Sequence, residues 1–306
     1  MEQPSGAATP ETLGVIGLTL GDPAGIGPEI IAAAQVSARL DARFDYRIIG
    51  AVPPGTVPGR PTPASARAAW DALKDAAGLL NSGEIAAVVT GPVSKHALAE
   101  IGFPHPGQTE FFAKALGAND YAMLLTGRRL TVALVTWHIP LAEVSRQLRL
   151  SEVVRVGRLL YSFLRTRGIE VPRIAVPGLN PHAGENGLLG REEIETVAPS
   201  VAALQQEFGR AFTGPIAADT LFHRTVSGEF DAVLCLYHDQ GLIPLKLLDF
   251  DNAVNVTLGL PVVRTSPDHG TAFDIAGRGR ASPESFISAT NLAAELTVAR
   301  LAQAHE

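Results

Sequence analysis

Short apolar runs alternate with segments of helical period along nearly the whole chain, and this alternation limits the fold more than any other feature. Residues 15–20 (VIGLTL), 85–90, 130–137 (LTVALVTW), 173–176 and 232–237 read as strands. Between them, Pro28 and Glu29 suit the first turn of a helix. Trp70, Leu73, Ala77 and Leu80 recur at helical spacing until Asn81-Ser82-Gly83 stops them. Val153, Val156, Leu160 and Leu164 follow Ser151, which reads as an N-cap. Ile194, Val197, Val201, Leu204 and Phe208 mark a longer helix, and Ser282-Pro283 opens the last one. The order predicts an α/β fold with helices on both faces of a largely parallel sheet. Gly and Pro crowd residues 52–63, which read as a connecting loop.

The composition fits such a core. With 306 residues, 46% hydrophobic and 18% charged, the chain is neither disordered nor too small to bury an interior. No run of 18 apolar residues crosses a membrane, and MEQPSGAATPETLG reads as a short flexible leader rather than a secretory signal. A net charge of −6 without basic clusters argues against nucleic acid. The single cysteine, Cys235, lies in AVLCLY and reads as a buried packing thiol. A cytoplasmic location is expected.

Three histidines end three of the strand-like runs: His138, His182 and His238, 44 and 56 residues apart. In open α/β sheets ligands sit beyond the carboxyl ends of strands, and three imidazoles converging there would make an open metal site. Each alone is equally compatible with a hydrogen-bonded loop histidine. His96, His105, His223 and His305 show no such pattern and read as surface or loop residues. Asp219 reads either as an N-cap or as a carboxylate near a metal. Lys246 and Arg264 are isolated cations in apolar surroundings, with Asn255 between them, as an anion site needs. Gln108 and Thr109 add donors at a helix start. The glycines at 21–27 do not follow G-x-G-x-x-G, so the usual dinucleotide fingerprint is absent.

Eight segments resemble the 4-hydroxythreonine-4-phosphate dehydrogenase family of vitamin B6 biosynthesis. They are LGDPAGIGPEI (20–30), TGPVSKHAL (90–98), GQTEFFA (107–113), NPHAGENGLLGREE (180–193), AADTLF (217–222), YHDQGLIPLK (237–246), VNVTLGLPVVRTSPDHGTAFDIAG (254–277) and the following RGRAS. The resemblance implies a divalent metal (Zn, Co, Mg or Mn) on His138, His182 and His238, with Asp219 beside it. It implies substrate and phosphate contacts at Gln108, Thr109, Lys246, Asn255 and Arg264, and a homodimer whose active sites lie at the subunit interface. The implied reaction oxidises 4-phosphooxy-L-threonine at C3 with NAD and decarboxylates it to 3-amino-2-oxopropyl phosphate. Asp219 or a metal-linked water is then the base, and Lys246 the proton donor.

DHGTAFDIAGRGRASP (268–283) is similar to the adenosine-binding loop of isopropylmalate and isocitrate dehydrogenases. This implies their α/β/α architecture, two subdomains with a cleft, and NAD contacts at His269, Gly270, Thr271, Ala272, Asp274 and Ile275. The expected division is 1–115 plus 265–306 as a terminal subdomain and 116–264 as a central, dimer-forming one. Two features depart from the family: glutamine at 108, where histidine is usual, and a short region around 51–65. D-threonate or D-erythronate 4-phosphate and cis-dihydrodiols are therefore alternative substrates. An aldolase, a hydrolase or a metabolite sensor built on the same histidines would not need the loop at 268–283.

Overall fold

The computed structural model describes residues 12–304. The leader reading and His305 lie outside them. Ten strands form one sheet: β1 (Val15–Thr19), β2 (Asp45–Ile49), β3 (Ala87–Thr90), β4 (Ala122–Thr126), β5 (Thr131–Leu134), β6 (Ile174–Pro177), β7 (Phe212–Ile216), β8 (Ala232–Cys235), β9 (Val254–Leu258) and β10 (Val263–Pro267). The helices are α1 (Gly27–Val36), α2 (Pro63–Ser82), α3 (Lys95–Glu100), α4 (Gln108–Ala115), α5 (Leu141–Gln147), α6 (Leu150–Thr166), α7 (Ala198–Phe208), α8 (Ala218–Val226), α9 (His238–Asp249) and α10 (Glu284–Ala304).

The strand order is β2-β1-β3-β10-β9-β4-β5-β8-β6-β7. Six of the nine pairings are parallel, as the βα alternation requires. The other three, β10-β9, β9-β4 and β4-β5, are antiparallel and lie in the middle. This reverses the chain direction across the sheet, so the two parallel groups run opposite ways.

The core follows from which strand faces are apolar. On one face, Leu18, Val89, Leu124, Val256 and Leu234 pack against α1, α6, α7 and α10 in one continuous cluster. On the other face the apolar residues divide. Val88 and Ile49 pack with Leu73, Leu80 and Phe112 from α2 and α4, while Val132, Val233 and Leu125 pack with Leu221, Leu242 and Leu245 from α8 and α9. The buried antiparallel centre lies where these two clusters part.

Local signals set the element ends. Thr62 and Ser65 form a reciprocal capping box around Pro63, and Gly83 closes α2 in a left-handed conformation (φ 76°). Gly21 (φ 69°) turns the chain after β1 against the Pro92 carbonyl, where a Cβ would collide. Two expected caps are not there. Arg149, not Ser151, occupies the N-cap position of α6, because the helix starts earlier, at Leu150. Asp219 lies inside the first turn of α8, whose N-cap position is Ala217. The helix expected from Ile194 begins as a single π-turn, Glu193–Val197, before α7. Cys235 is buried in the core, and burial pushes its thiol pKa up.

Candidate active site

A cavity of about 260 Å³ opens over the antiparallel centre. Its floor is a sheet face: Met123 and Leu125 of β4, Asn255 of β9, and Arg264 and Ser266 of β10, each two residues apart on its strand. The expected strand-end site is thus half right. Strand ends supply the walls, and the floor is the middle of the sheet.

Arg264 is 3% exposed. Its guanidinium donates to the hydroxyls of Thr90 (2.6 Å), Thr257 (3.2 Å) and Thr109 (3.5 Å) and to Gln108 Oε1 (3.4 Å). Its Nε has no partner. Burial pushes its pKa down to about 10, partly offset by the charge of Glu110, so it remains cationic at neutral pH. A buried cation held only by neutral acceptors keeps its charge available to an anion. α4 begins beside it without a side-chain cap, so its first N–H groups face the same region. Asn255 Oδ1 is also buried without a partner.

His138 follows β5 and His238 is the first residue of α9; both line the cavity, with ring centroids 5.7 Å apart. Burial holds the His138 pKa below the ordinary imidazole range, and the charges of Lys95 and then His238 push the same way. His238 Nδ1 lies 2.7 Å from Asp239 Oδ1. His182 is elsewhere. It sits on the turn Pro181–Gly187 after β6, largely exposed, with Nδ1 3.3 Å from Glu185 Oε2. Residues 182–186 are all left-handed, and for the four that are not glycine this costs roughly 1–2 kcal/mol each. Asp219 is exposed at the start of α8, which packs on this same turn. Among the described residues, no group of three His, Cys, Asp or Glu side chains could hold a metal. His138 and His238 share the cavity, whereas His182 and Asp219 lie outside it.

Lys246 of α9 is not on the cavity wall. Its Nζ lies 3.0 Å from Asp268 Oδ2 and donates to the Asp268 carbonyl at 3.3 Å. Asp268 does line the cavity, and burial raises its carboxyl pKa while Lys246 lowers it. His269 and Gly270 continue that wall, and His269 Nε2 is buried without a partner. Thr271 gives its carbonyl to the Ile26 N–H (3.0 Å), which seats the loop at 268–283 on the start of α1. Ala272 is left-handed (φ 41°), the Ile275 N–H closes a turn onto its carbonyl, and Asp274 is exposed.

Several cavity residues escaped the sequence reading. Thr90 ends β3 and Lys95 begins α3, both within the TGPVSK segment. Glu110 follows Thr109. A strand-end threonine and a lysine after a Gly-Pro turn were the available signals. His105, expected at the surface or in a loop, lies in the loop before α4 and lines the cavity between Phe103 (5.3 Å) and Phe111 (5.6 Å). Gln240 is buried and bridges two loops: Leu236 N–H donates to its Oε1 (2.7 Å), and its Nε2 donates to the Gly178 carbonyl (2.8 Å).

Residues 28–293 match the family described as pyridoxal phosphate biosynthetic protein PdxA. A curated relative from Geobacter metallireducens, named 4-hydroxythreonine-4-phosphate dehydrogenase, is 44% identical, with 94% of this chain and 96% of that protein covered. A crystal structure of the enzyme of that name from Klebsiella pneumoniae superposes with a TM-score of 0.79 at 38% identity, covering 93% of this chain and 99% of that one. Isocitrate dehydrogenase from Methylococcus capsulatus shares the fold alone: TM-score 0.53 at 17% identity, covering 94% of this chain and 86% of that one. An isocitrate-dehydrogenase-like α/β fold, a match over most of its length and close relatives of one name place this chain in the PdxA family.

Proposed function

We propose that this protein is the dehydrogenase its relatives are named for, oxidising 4-phosphooxy-L-threonine at C3 and decarboxylating the product to 3-amino-2-oxopropyl phosphate. The observation that carries this reading is the pairing, in one cavity, of a buried anion clamp at Arg264 with two imidazoles at His138 and His238. A phosphorylated hydroxy acid has both matching ends.

Arg264, with Thr109, Gln108 and Asn255, takes the phosphate and fixes the substrate's direction, which contributes orientation rather than chemistry. The hydroxyl end then lies toward His138 and His238. Burial keeps His138 neutral, the state in which an imidazole ligates a metal. His138 and His238 would hold a divalent metal, which would supply Lewis acidity toward the C3 hydroxyl, and NAD would supply the hydride acceptor. Asp219 takes the hydroxyl proton. The proton returned to the carbon that loses CO₂ would come from Lys246, which lies behind the cavity wall and meets it through its ion pair with the wall residue Asp268. His269 to Ile275 face the adenosine part of NAD, with the unpartnered His269 Nε2 as one available contact.

The remaining metal ligand, His182, comes from a second copy, together with Asp219. Exposed apolar residues support this. Ile243, Leu247 (84% exposed) and Phe250 form a stripe along one face of α9, and Leu188 (83%), Leu189 and Ile194 surround the His182 turn. The division into subdomains at 1–115 plus 265–306 and 116–264 is supported by the sheet order, which keeps β1, β2, β3 and β10 on one side of β9.

The test is NADH formation from 4-phosphooxy-L-threonine with Zn²⁺, Co²⁺ or Mg²⁺, run beside D-threonate and D-erythronate 4-phosphates. Turnover of the first, lost on chelation, is expected. Turnover of a sugar-acid phosphate alone would overturn the substrate assignment but keep the clamp.

A further inference from the structure

The turn that carries His182 has a carboxylate built into its inner side. Glu193 is 3% exposed. Its Oε1 accepts the Asn180 N–H at 2.7 Å, and its Oε2 accepts Asn180 Nδ2 at 3.0 Å. Its hydrogen-bond partners are amide groups rather than a cation. Two glycines leave room for it: a Cβ at Gly184 would come 2.5 Å from Oε2, and one at Gly178 would come 3.1 Å from Oε1. A buried carboxylate and a run of left-handed residues are each unfavourable, and here they support one another.

The His182 side chain has little else to hold it. It is exposed, and its one hydrogen-bond partner, Glu185, belongs to the same turn. The direction of the imidazole is therefore set by the backbone, which Glu193 holds at Asn180, where the turn begins, and packs against at Gly184. We propose that Glu193 is a positioning residue: its carboxylate templates the left-handed turn so that His182 is presented, already formed, to the metal site of a second copy. This rests on the reading of His182 as a metal ligand.

The experiment measures Co²⁺ affinity by calorimetric titration of the full-length protein, with kcat, KM and thermal midpoint alongside, in Glu193→Gln and His182→Ala. Both variants are expected to weaken Co²⁺ binding, Glu193→Gln by about 10-fold to 100-fold, with kcat falling and KM for the phosphorylated substrate within about twofold. Adding Ala183→Gly to Glu193→Gln relaxes one left-handed position and is expected to restore part of the affinity. Wild-type Co²⁺ affinity in Glu193→Gln, with His182→Ala weakened, overturns the positioning role alone. Unchanged affinity in His182→Ala overturns the ligand reading and this proposal with it. Should Glu193→Gln fail to fold, Asn180→Ala removes the side-chain donor from Glu193 Oε2 while the backbone N–H stays on Oε1, and is expected to weaken Co²⁺ binding by a smaller factor; wild-type affinity there also overturns the role.

Discussion

Replacing Arg264 by methionine should make the free protein more stable and the enzyme nearly inactive. The fall in the Arg264 pKa from its ordinary 12.5 to about 10 corresponds to about 3 kcal/mol of unfavourable burial at neutral pH. The sign follows from linkage. A base whose folded pKa lies below its unfolded one destabilises the fold while both states are charged, and the penalty is relieved only as pH rises from about 10 toward 12.5. Methionine fills a similar volume without charge, but it releases the Thr90 and Thr257 hydroxyls, costing about 1 kcal/mol each, whereas the long contacts to Thr109 (3.5 Å) and Gln108 (3.4 Å) contribute little. The balance is a gain of about 1 kcal/mol, or a thermal midpoint higher by about 2 °C. Binding changes in the other direction. Losing a charge-assisted contact costs about 1.5–3 kcal/mol, so kcat/KM should fall about 10-fold to 100-fold. Inorganic phosphate at 100 times its Kd should stabilise the wild type by about 2.7 kcal/mol and leave the variant almost unmoved. Scanning calorimetry with and without phosphate, beside steady-state rates, measures both. A variant that melts lower than wild type yet keeps its phosphate shift would refute the clamp.

Three further perturbations separate the parts of the site. Gln240→Leu leaves the buried Leu236 N–H and Gly178 carbonyl without partners and should cost about 2–5 kcal/mol in denaturant unfolding; a loss under about 1 kcal/mol would mean the two loops are held otherwise. Lys95→Met should raise KM about fivefold with kcat nearly unchanged, as expected for a solvent-screened charge worth about 1 kcal/mol, and an unchanged KM would remove Lys95 from substrate binding. The same variant should raise the His138 pKa in metal-free protein by NMR titration, since the Lys95 charge lowers it. Leu247→Glu should break the proposed dimer, giving a monomer on size-exclusion chromatography without turnover; an active monomer would mean that His182 is not needed from a second copy.

Much of the architecture was legible because periodicity carries it. The helix through Trp70 and Leu80, and strands such as Ala232–Cys235, are bounded by residues whose conformational reasons are local. The antiparallel centre was not legible. Its strands VNVTL and VRTSP interrupt their apolar pattern with Asn255, Arg264 and Ser266, the residues that floor the cavity. β2 was missed for a related reason: DYRII is an edge strand with a wet face. Gln108, Thr109, Asn255, Arg264, His138, His238, His269 and Gly270 were named from sequence, and all line one cavity. Sequence could not say that His182 and Asp219 stand apart from them, because spacing along a chain does not distinguish neighbours in one molecule from neighbours across two. Lys95 and Thr90 were passed over because a single lysine after a turn resembles any solvated one.

The continuous sheet also limits how this cavity can close. β10, β9 and β4 are hydrogen-bonded to strands on both sides, so the two halves share a floor and cannot swing apart on a loop. Motion between them must come from a change of twist beneath the cavity, which displaces the floor least and the rims most. Such a change would leave Arg264 in place while the walls bearing Lys95, His138 and His238 move. A phosphate held at Arg264, as proposed, would then be gripped throughout, with the oxidising end assembled only on closure. The enzyme would capture its substrate by the end that does not react and commit to chemistry afterwards.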